Sequence, residues 1–503
     1  MELKLKKQPA AVCEPLLDAA AEHPIECDIL LPDYCPDIVR VLTCRAQADV
    51  TDCAVRGAAL TVEGMTTVTL CYLGDVGGVH TTQVRQPFSK SFELSEEAIS
   101  PIVFASAERG YLTCRASSRR RVDVRGVLSV SAMVCDARTE EVVIGAQSGV
   151  CLKTEEYRAA CLRARTLQRF SQREEVSPPP GTHVPHEVLR ADCCAVVQEW
   201  RPVSNGILLK GDLIVSMLWS AGEENELETA QYTLPMSRVL EISEPASVCD
   251  VSVRCTAVDC APAEDAQEDR LSLELQLEAA VLSCSETQLE AAKDAFSTQY
   301  ISRCDAVNLR TACVRASVRE RTSVRAQIPL PPDASEVTDV FAALSQTACS
   351  VSEGQLVLSG RAALAAVVSG AEGGPEAVSE TALLSVPLYE AGEERIACRP
   401  QVSVLSAQGT IEDGTLTLTA ELLITGAVLA FPETAALRDV LVDETSPIER
   451  DPSVGLVIRY ADAGESVWDI ARQYGAQPSR ILDDNGLTED LLSENTVLVI
   501  PGA

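Results

Sequence analysis

Long stretches of the chain alternate apolar and polar residues with a period of two, the pattern of strands buried on one face only. Val122, Val124, Leu128, Val130, Ala132 and Val134 share a face in this way. So do Leu271, Leu273, Leu275, Leu277, Ala279 and Val281, and again Leu416, Leu418, Ala420 and Leu422. A second strand-like segment ends on a glycine three times, as Leu60-Thr-Val-Glu-Gly64, Ile207-Leu-Leu-Lys-Gly211 and Leu356-Val-Leu-Ser-Gly360. A proline followed by an apolar residue comes next in each case, at Pro87-Phe88, Pro235-Met236 and Pro387-Leu388. The glycines are spaced 147 and then 149 residues apart. That exceeds the roughly 20 to 50 residues of a solenoid unit and fits a whole domain present three times. Polar clusters at Gly74–Gly78, Ser220–Asn225 and Ser369–Pro375 fall at matching places and read as loops between antiparallel strands. A recurring glycine inside a strand marks a bulge or a close backbone approach.

The fold class expected is mainly β: three repeated antiparallel domains of sandwich or barrel style, at 1–150, 151–300 and 301–440. A polar linker is expected over 441–455, because the alternation fades after Ala436. The last unit, 456–503, has a different rhythm. Leu456–Tyr460 reads as a short strand, and Ser466 can cap a helix with Asp469 three residues on. Val467, Ile470, Ala471 and Tyr474 line one face of that helix, and Gly475 ends it. Pro478 can start a second helix, which Asn485-Gly486 ends, and Thr496–Pro501 closes as a strand. The order is β-α-α-β.

Composition narrows the function. The net charge of −32, from 42 basic and 74 acidic residues, argues against nucleic acid or an anionic membrane as a partner. No apolar run approaches the roughly 20 residues that span a bilayer. The start, Met1-Glu-Leu-Lys-Leu-Lys-Lys, has positive charge without an apolar stretch behind it, so we expect no secretory signal and retention in the cytosol. The 20 cysteines sit mainly in strand-like apolar segments such as Val41-Leu-Thr-Cys44, and are expected to be buried free thiols. His183 and His186 lie in a proline-rich loop whose spacing fits no common zinc site, so neither metal nor cofactor is expected.

The C-terminal residues 456–501 resemble a LysM domain, through Gly464-Glu-Ser-Val-Trp-Asp-Ile-Ala471, Asn485-Gly-Leu487 and the Val-Leu-Val-Ile-Pro501 end. The resemblance implies a groove that binds N-acetylglucosamine-containing glycans such as peptidoglycan. Asp462, Ala463, Gly464, Glu465 and Ser466 would form one side, and Asp484, Asn485, Gly486 and Leu487 the other. Ala461-Asp462 and Glu494-Asn495 depart from the family pattern, so the same groove is also read as a seat for a protein. Trp468 would either stack on a sugar or pack at the rim of the small core. The three repeats resemble the SPOCS domain of spore coat proteins, through Leu31-Pro-Asp-Tyr-Cys-Pro-Asp-Ile-Val-Arg-Val-Leu42, Val62-Glu-Gly64, Leu70-Cys-Tyr72, Pro87-Phe88 and Arg121-Val-Asp-Val-Arg125. SPOCS repeats followed by one LysM domain are similar to coat morphogenetic proteins of clostridial spore formers. The resemblance implies a mother-cell protein at the forespore surface, in sporulation. Its partner would be a SpoIVA-like coat ATPase, engaged through the LysM tail.

Candidate chemistry is sparse. Asp33 and Asp37 flank Tyr34, but the third repeat keeps only Asp333 and the second keeps neither, so a turn-capping role is expected rather than acid–base catalysis. No Gly-x-Ser-x-Gly or Cys/His signature accompanies the four histidines. Arg119, Arg121 and Arg125 belong to the one dense basic patch, read as a salt-bridged outer face or as a dock for an acidic neighbour, including a second copy of the chain. The expectation is a non-enzymatic scaffold with a tether. The alternatives are a glycan-binding protein and a cell-wall enzyme with a LysM tail.

Overall fold

The two recurring patterns become the paired central strands of three sandwiches in the computed structural model, which describes residues 5–147, 149–222, 226–262, 270–330, 334–370, 374–449 and 455–501. Strands account for 79% of it. The first group of strands is β1 (Leu5–Leu30), β2 (Ile38–Arg56), β3 (Ala59–Gly74), β4 (Val79–Glu93), β5 (Pro101–Ser118) and β6 (Arg121–Ala146). It forms two antiparallel sheets in the orders β2-β3-β4 and β1-β6-β5. The second group is β7 (Val150–Val176), β8 (Glu187–Val203), β9 (Gly206–Ala221), β10 (Glu226–Glu241), β11 (Val248–Pro262) and β12 (Leu271–Ser297), in the orders β8-β9-β10 and β7-β12-β11. The third is β13 (Tyr300–Arg310), β14 (Cys313–Pro329), β15 (Ala334–Ser352), β16 (Gln355–Gly370), β17 (Glu376–Glu390), β18 (Ile396–Cys398), β19 (Gln401–Glu412), β20 (Thr415–Ala430) and β21 (Glu433–Pro447). There β15-β16-β17 repeats the first sheet, β20 lies between β14 and the interrupted edge β18/β19, and β13 pairs with β21.

The alternating residues meet between the sheets. Val122, Val124, Leu128 and Val130 pack with Leu60, Val62, Val68, Leu70 and Phe88, all buried, and the equivalent residues do so around Leu273 and Leu418. Each recurring glycine faces a register shift in the neighbouring edge strand, at Val50/Asp52, Val197/Glu199 and Ser345/Ala348. A Cβ on Gly64 would lie 2.4 Å from the Asp49 carbonyl oxygen, and one on Gly211 2.2 Å from that of Val196. The Phe88 ring fills the space a side chain on Gly64 would have taken, and Phe88 and Met236 stand directly across from Gly64 and Gly211. In the third sandwich Leu384, not Leu388, takes that place.

The first and last strands of each group run far past their sandwich. β1 and β6 are 26 residues each, β7 and β12 are 27, whereas about 5 to 6 is usual. In the third group the same span is broken into β13 then β14, and β20 then β21, at Thr311-Ala312 and Phe431-Pro432. The result is three two-stranded ribbons that share their own core. Cys13, Met133 and Cys135 from the first group meet Cys161, Leu162 and Leu282 from the second and Ala312 and Leu429 from the third. Further along, Val12 and Val142 meet Tyr157 and Leu289, and Leu309 and Ala436. The expected linker begins too early: 441–447 belongs to β21, because Val440 and Val442 continue the ribbon's buried face beside Val143 and Ala292. Of the rest, 450–454 lies outside the described residues.

Charge ties the sandwiches together at the centre. Arg45 of the first grips Asp192 of the second through two hydrogen bonds of 3.0 and 3.1 Å. Arg190 of the second grips Asp339 of the third at 2.6 and 2.9 Å. The Phe341 ring lies 5.6 and 5.4 Å from the two guanidinium carbons. These groups line a cavity of about 680 Å³.

Candidate functional site

The C-terminal unit is built from β22 (Leu456–Ala461), α1 (Val467–Tyr474), α2 (Pro478–Asn485) and β23 (Thr496–Pro501). The Ser466 hydroxyl accepts from the Asp469 amide and caps α1, and Gly475 ends it in the left-handed region at φ 63°. Gly486 ends α2 likewise at φ 65°. Val467, Ile470, Ala471, Ile481, Leu492, Leu498 and Ile500 close the core between helices and sheet.

Asp462, Ala463 and Gly464 are exposed, and Glu465 and Ser466 half-buried. This loop is zipped to the segment before β23: the Gly464 amide donates to the Leu492 carbonyl at 2.7 Å, the Leu492 amide to Glu465 at 3.0 Å and the Ala463 amide to Asn495 Oδ1 at 2.9 Å. Glu465 is held by Arg459 at 2.9 Å and by the Asp462 amide. On the other side Asp484 and Gly486 are exposed and Leu487 is half-buried. Asn485 is spent on structure: its Nδ2 donates to the Ile481 and Val499 carbonyls at 2.7 and 2.8 Å, and its Oδ1 accepts from the Val499 amide at 2.7 Å. What remains for a ligand is backbone amides and carbonyls plus the carboxylates of Asp462 and Asp484.

Trp468 is not part of an open groove. It is 6% exposed, its ring meets Phe296 edge-on with centroids 4.9 Å apart, and its indole Nε1 donates to Asp294 Oδ2 at 2.8 Å. Phe296 and Asp294 belong to β12 at the tip of the second ribbon, so the ring is the anchor that docks this unit on the body. Arg472 also pairs with Asp294, and Lys153 of β7 with Asp490 at 2.7 Å. Burial works to raise the Asp490 carboxyl, but the Lys153 ammonium, the Trp468 amide and the Ser466 hydroxyl outweigh it and hold the group below the usual range. Asp294 is depressed in the same way, with Arg472 and the indole outweighing burial.

One surface escaped the sequence reading. Leu456, Ile458 and Tyr460 stand across from Pro501, Val499 and Val497 on the outer face of the sheet. Leu456, Ile458, Tyr460 and Val497 are 53, 60, 82 and 51% exposed. The signal was present as apolar residues on both faces of two short strands, which marks a strand with an apolar surface to cover on each side.

The other candidates are structural or solvated in geometry. Arg119 lies in the turn before β6, and Arg121 and Arg125 on its outer face, exposed. Arg121 pairs with Asp28, and Arg125 stands across from Glu26. Arg120, between them, pins the proline turn through Asp37 Oδ1 and the Pro32 carbonyl, each at 2.7 Å; Asp33 is exposed, and Asp333 lies outside the described residues. His183 meets Glu226 and Glu228 rather than His186, and both its ring and its amide engage Glu228 at 2.8 Å. All 20 cysteines are free thiols and none is exposed.

Compared with known families, residues 463–501 match the LysM domain. No curated protein and no solved structure matches the chain. The C-terminal unit is thus LysM-like, of a family that binds peptidoglycan and related glycans. Among the described residues no helix is long and apolar enough to cross a membrane.

Proposed function

We propose that the chain is a non-enzymatic scaffold in which a rigid threefold body carries a LysM-like unit that holds a protein partner. The observation that supports this most is the use made of Trp468: this ring in the first turn of α1 is buried against Phe296. It is therefore closed to a sugar, while the sheet's outer apolar face stays uncovered. Elsewhere buried and half-buried polar side chains hold the framework, across sandwiches in Arg45–Asp192 and Arg190–Asp339 and within one in Asp136, which accepts from the Ile99 and Ser100 amides. Together with the resemblance to SPOCS proteins, this supports a coat-assembly role in the mother cell at the forespore surface, with a SpoIVA-like ATPase as partner. Glycan binding is the second reading, favoured by the family match itself.

The two are separated by binding the full-length chain to purified peptidoglycan and to the coat ATPase in parallel. Ile458→Asp with Tyr460→Ala is expected to abolish capture of the ATPase. Asp462→Ala with Asp484→Ala is expected to leave it unchanged. Retention of peptidoglycan by the unaltered chain, lost on the loop pair and indifferent to the sheet pair, overturns the protein-tether reading in favour of glycan.

A further inference from the structure

In each sandwich one seam is formed where an edge strand of the outer sheet meets an edge strand of the inner one: β2 with β5, β8 with β11, β15 with β18 and β19. A cysteine on each side of that seam faces a cysteine on the other. Cys44 of β2 meets Cys114 of β5, Cys193 of β8 meets Cys255 of β11, and Cys349 of β15 meets Cys398 of β18. All six sit in or against the cores of their own sandwiches. The pairs are not at one inherited height. Cys44 lies across from Leu70, six residues after Gly64; Cys193 from Val215, four after Gly211; Cys349 from Leu358, two before Gly360. The seam residue has moved along the strand, and its partner has moved with it.

If these were only small apolar fillers, Ala or Val would serve opposite a cysteine as well as another cysteine. With 20 cysteines in 503 residues, a residue facing one of them is a cysteine about one time in 25 by chance. Three seams out of three are paired. We propose that the seam pairs are a modification site: three disulfides that form when the surroundings turn oxidising, each locking the two sheets of its sandwich together. The oxidant required is a low-molecular-weight disulfide of the glutathione type. One protein thiolate attacks a sulfur of that reagent, forming a mixed disulfide and expelling one small thiolate. The facing cysteine, as thiolate, then attacks the mixed disulfide, forming the protein bond and expelling the second. Two protein thiols are oxidised, one small disulfide is reduced to two thiols, and the two protein protons pass to those products. Cys114 and Cys349 are suited to attack first, since a hydrogen bond from the facing thiol lowers each below the ordinary cysteine value.

A fourth pair supplies an internal contrast. Cys249 and Cys284 have their sulfurs 2.8 Å apart, but β11 and β12 are already hydrogen-bonded neighbours. A bond there would join strands of one sheet, whereas the seam bonds join separate sheets.

The test is made on the full chain, purified reduced, incubated with oxidised glutathione, then alkylated and digested without reduction. Mass spectrometry is expected to find cross-linked peptides joining Cys44 to Cys114, Cys193 to Cys255 and Cys349 to Cys398. The urea midpoint of the oxidised chain is expected to exceed that of the reduced chain. Cys114→Ser, Cys255→Ser and Cys349→Ser should each lower that rise by a comparable amount, because the closed loops are of similar size. Full alkylation of the six seam thiols after oxidation, or their appearance in other pairings, overturns the proposal. That mapping is read on the unaltered chain, so it stands even where a serine variant folds poorly.

Discussion

Strand β6 passes through two environments, and they are built differently. From Arg121 to Ser131 its residues alternate between buried and open, with Val122, Val124, Leu128 and Val130 facing the first sandwich core. From Ala132 to Asp136 every residue is buried, because Ala132 and Val134 still face the first sandwich core while Met133 and Cys135, on the other face, enter the core shared by three ribbons. A sandwich half is stabilised by one repeat alone, and the shared waist by all three at once. Alternation therefore reports a domain's own core, and an uninterrupted apolar run such as Ala132-Met-Val-Cys135 reports that something else packs on the second face.

The contrast is sharpened by substitutions of matched type. Asp339→Ala, at the meeting point of two sandwiches, takes both hydrogen bonds of Asp339 from the buried Arg190 guanidinium and leaves it Asp192 alone, and is expected to cost about 2 to 3 kcal/mol in urea unfolding. Asp123→Ala on the outer face of β6 should cost under about 0.5 kcal/mol. Equal losses at the two acids would break the distinction. Leu162→Ala at the waist and Leu128→Ala in the first sandwich are each expected to cost about 2 to 5 kcal/mol. Their reach differs: hydrogen exchange should rise along all three ribbons for the first, and within β1–β6 alone for the second. If Leu162→Ala loosens only the second group, the waist is not a common core.

The docked LysM-like unit gives smaller effects. Trp468→Phe keeps the contact with Phe296 but removes the bond to Asp294, at an expected cost of about 1 to 2 kcal/mol. The loss should show as faster exchange in 456–501, with the sandwiches' thermal midpoint unchanged. Acid should undock the unit by the same route. Asp294 and Asp490 both have depressed values in the folded chain, so their stabilisation is complete above the unfolded value of about 3.9 and is lost as pH falls below it toward their folded values. Fluorescence of Trp468, followed in a chain with Trp200 and Trp219 replaced by Phe, should change between about pH 4 and 2. Docking indifferent to pH across that window would remove the two carboxylates from the contact.

Much of this was legible before any coordinates. The strand faces around Leu273 and Leu418, the glycines set against bulges, and the caps at Ser466 and Gly475 are local consequences of side-chain pattern, which acts over a few residues. The candidate groove residues of the LysM-like unit fall at 462–466, before α1, and at 484–487, the end of α2 and the turn after it. What was missed depends on distant partners. The linker begins later than the fading alternation implied, since Val440 and Val442 are held by Val143 and Ala292, nearly 300 and 150 residues earlier. Trp468 was open between two roles until Phe296 supplied the packing.

The sequence by itself determined a mainly β chain in three like parts with a βααβ end, because alternation, glycine and capping are written in neighbouring residues. The tertiary structure alone decided that three ribbons share one waist, that Arg and Asp from different repeats join at the centre, and that cysteines face one another across each seam. Those are meetings of surfaces, and no local pattern records which surface a face will meet.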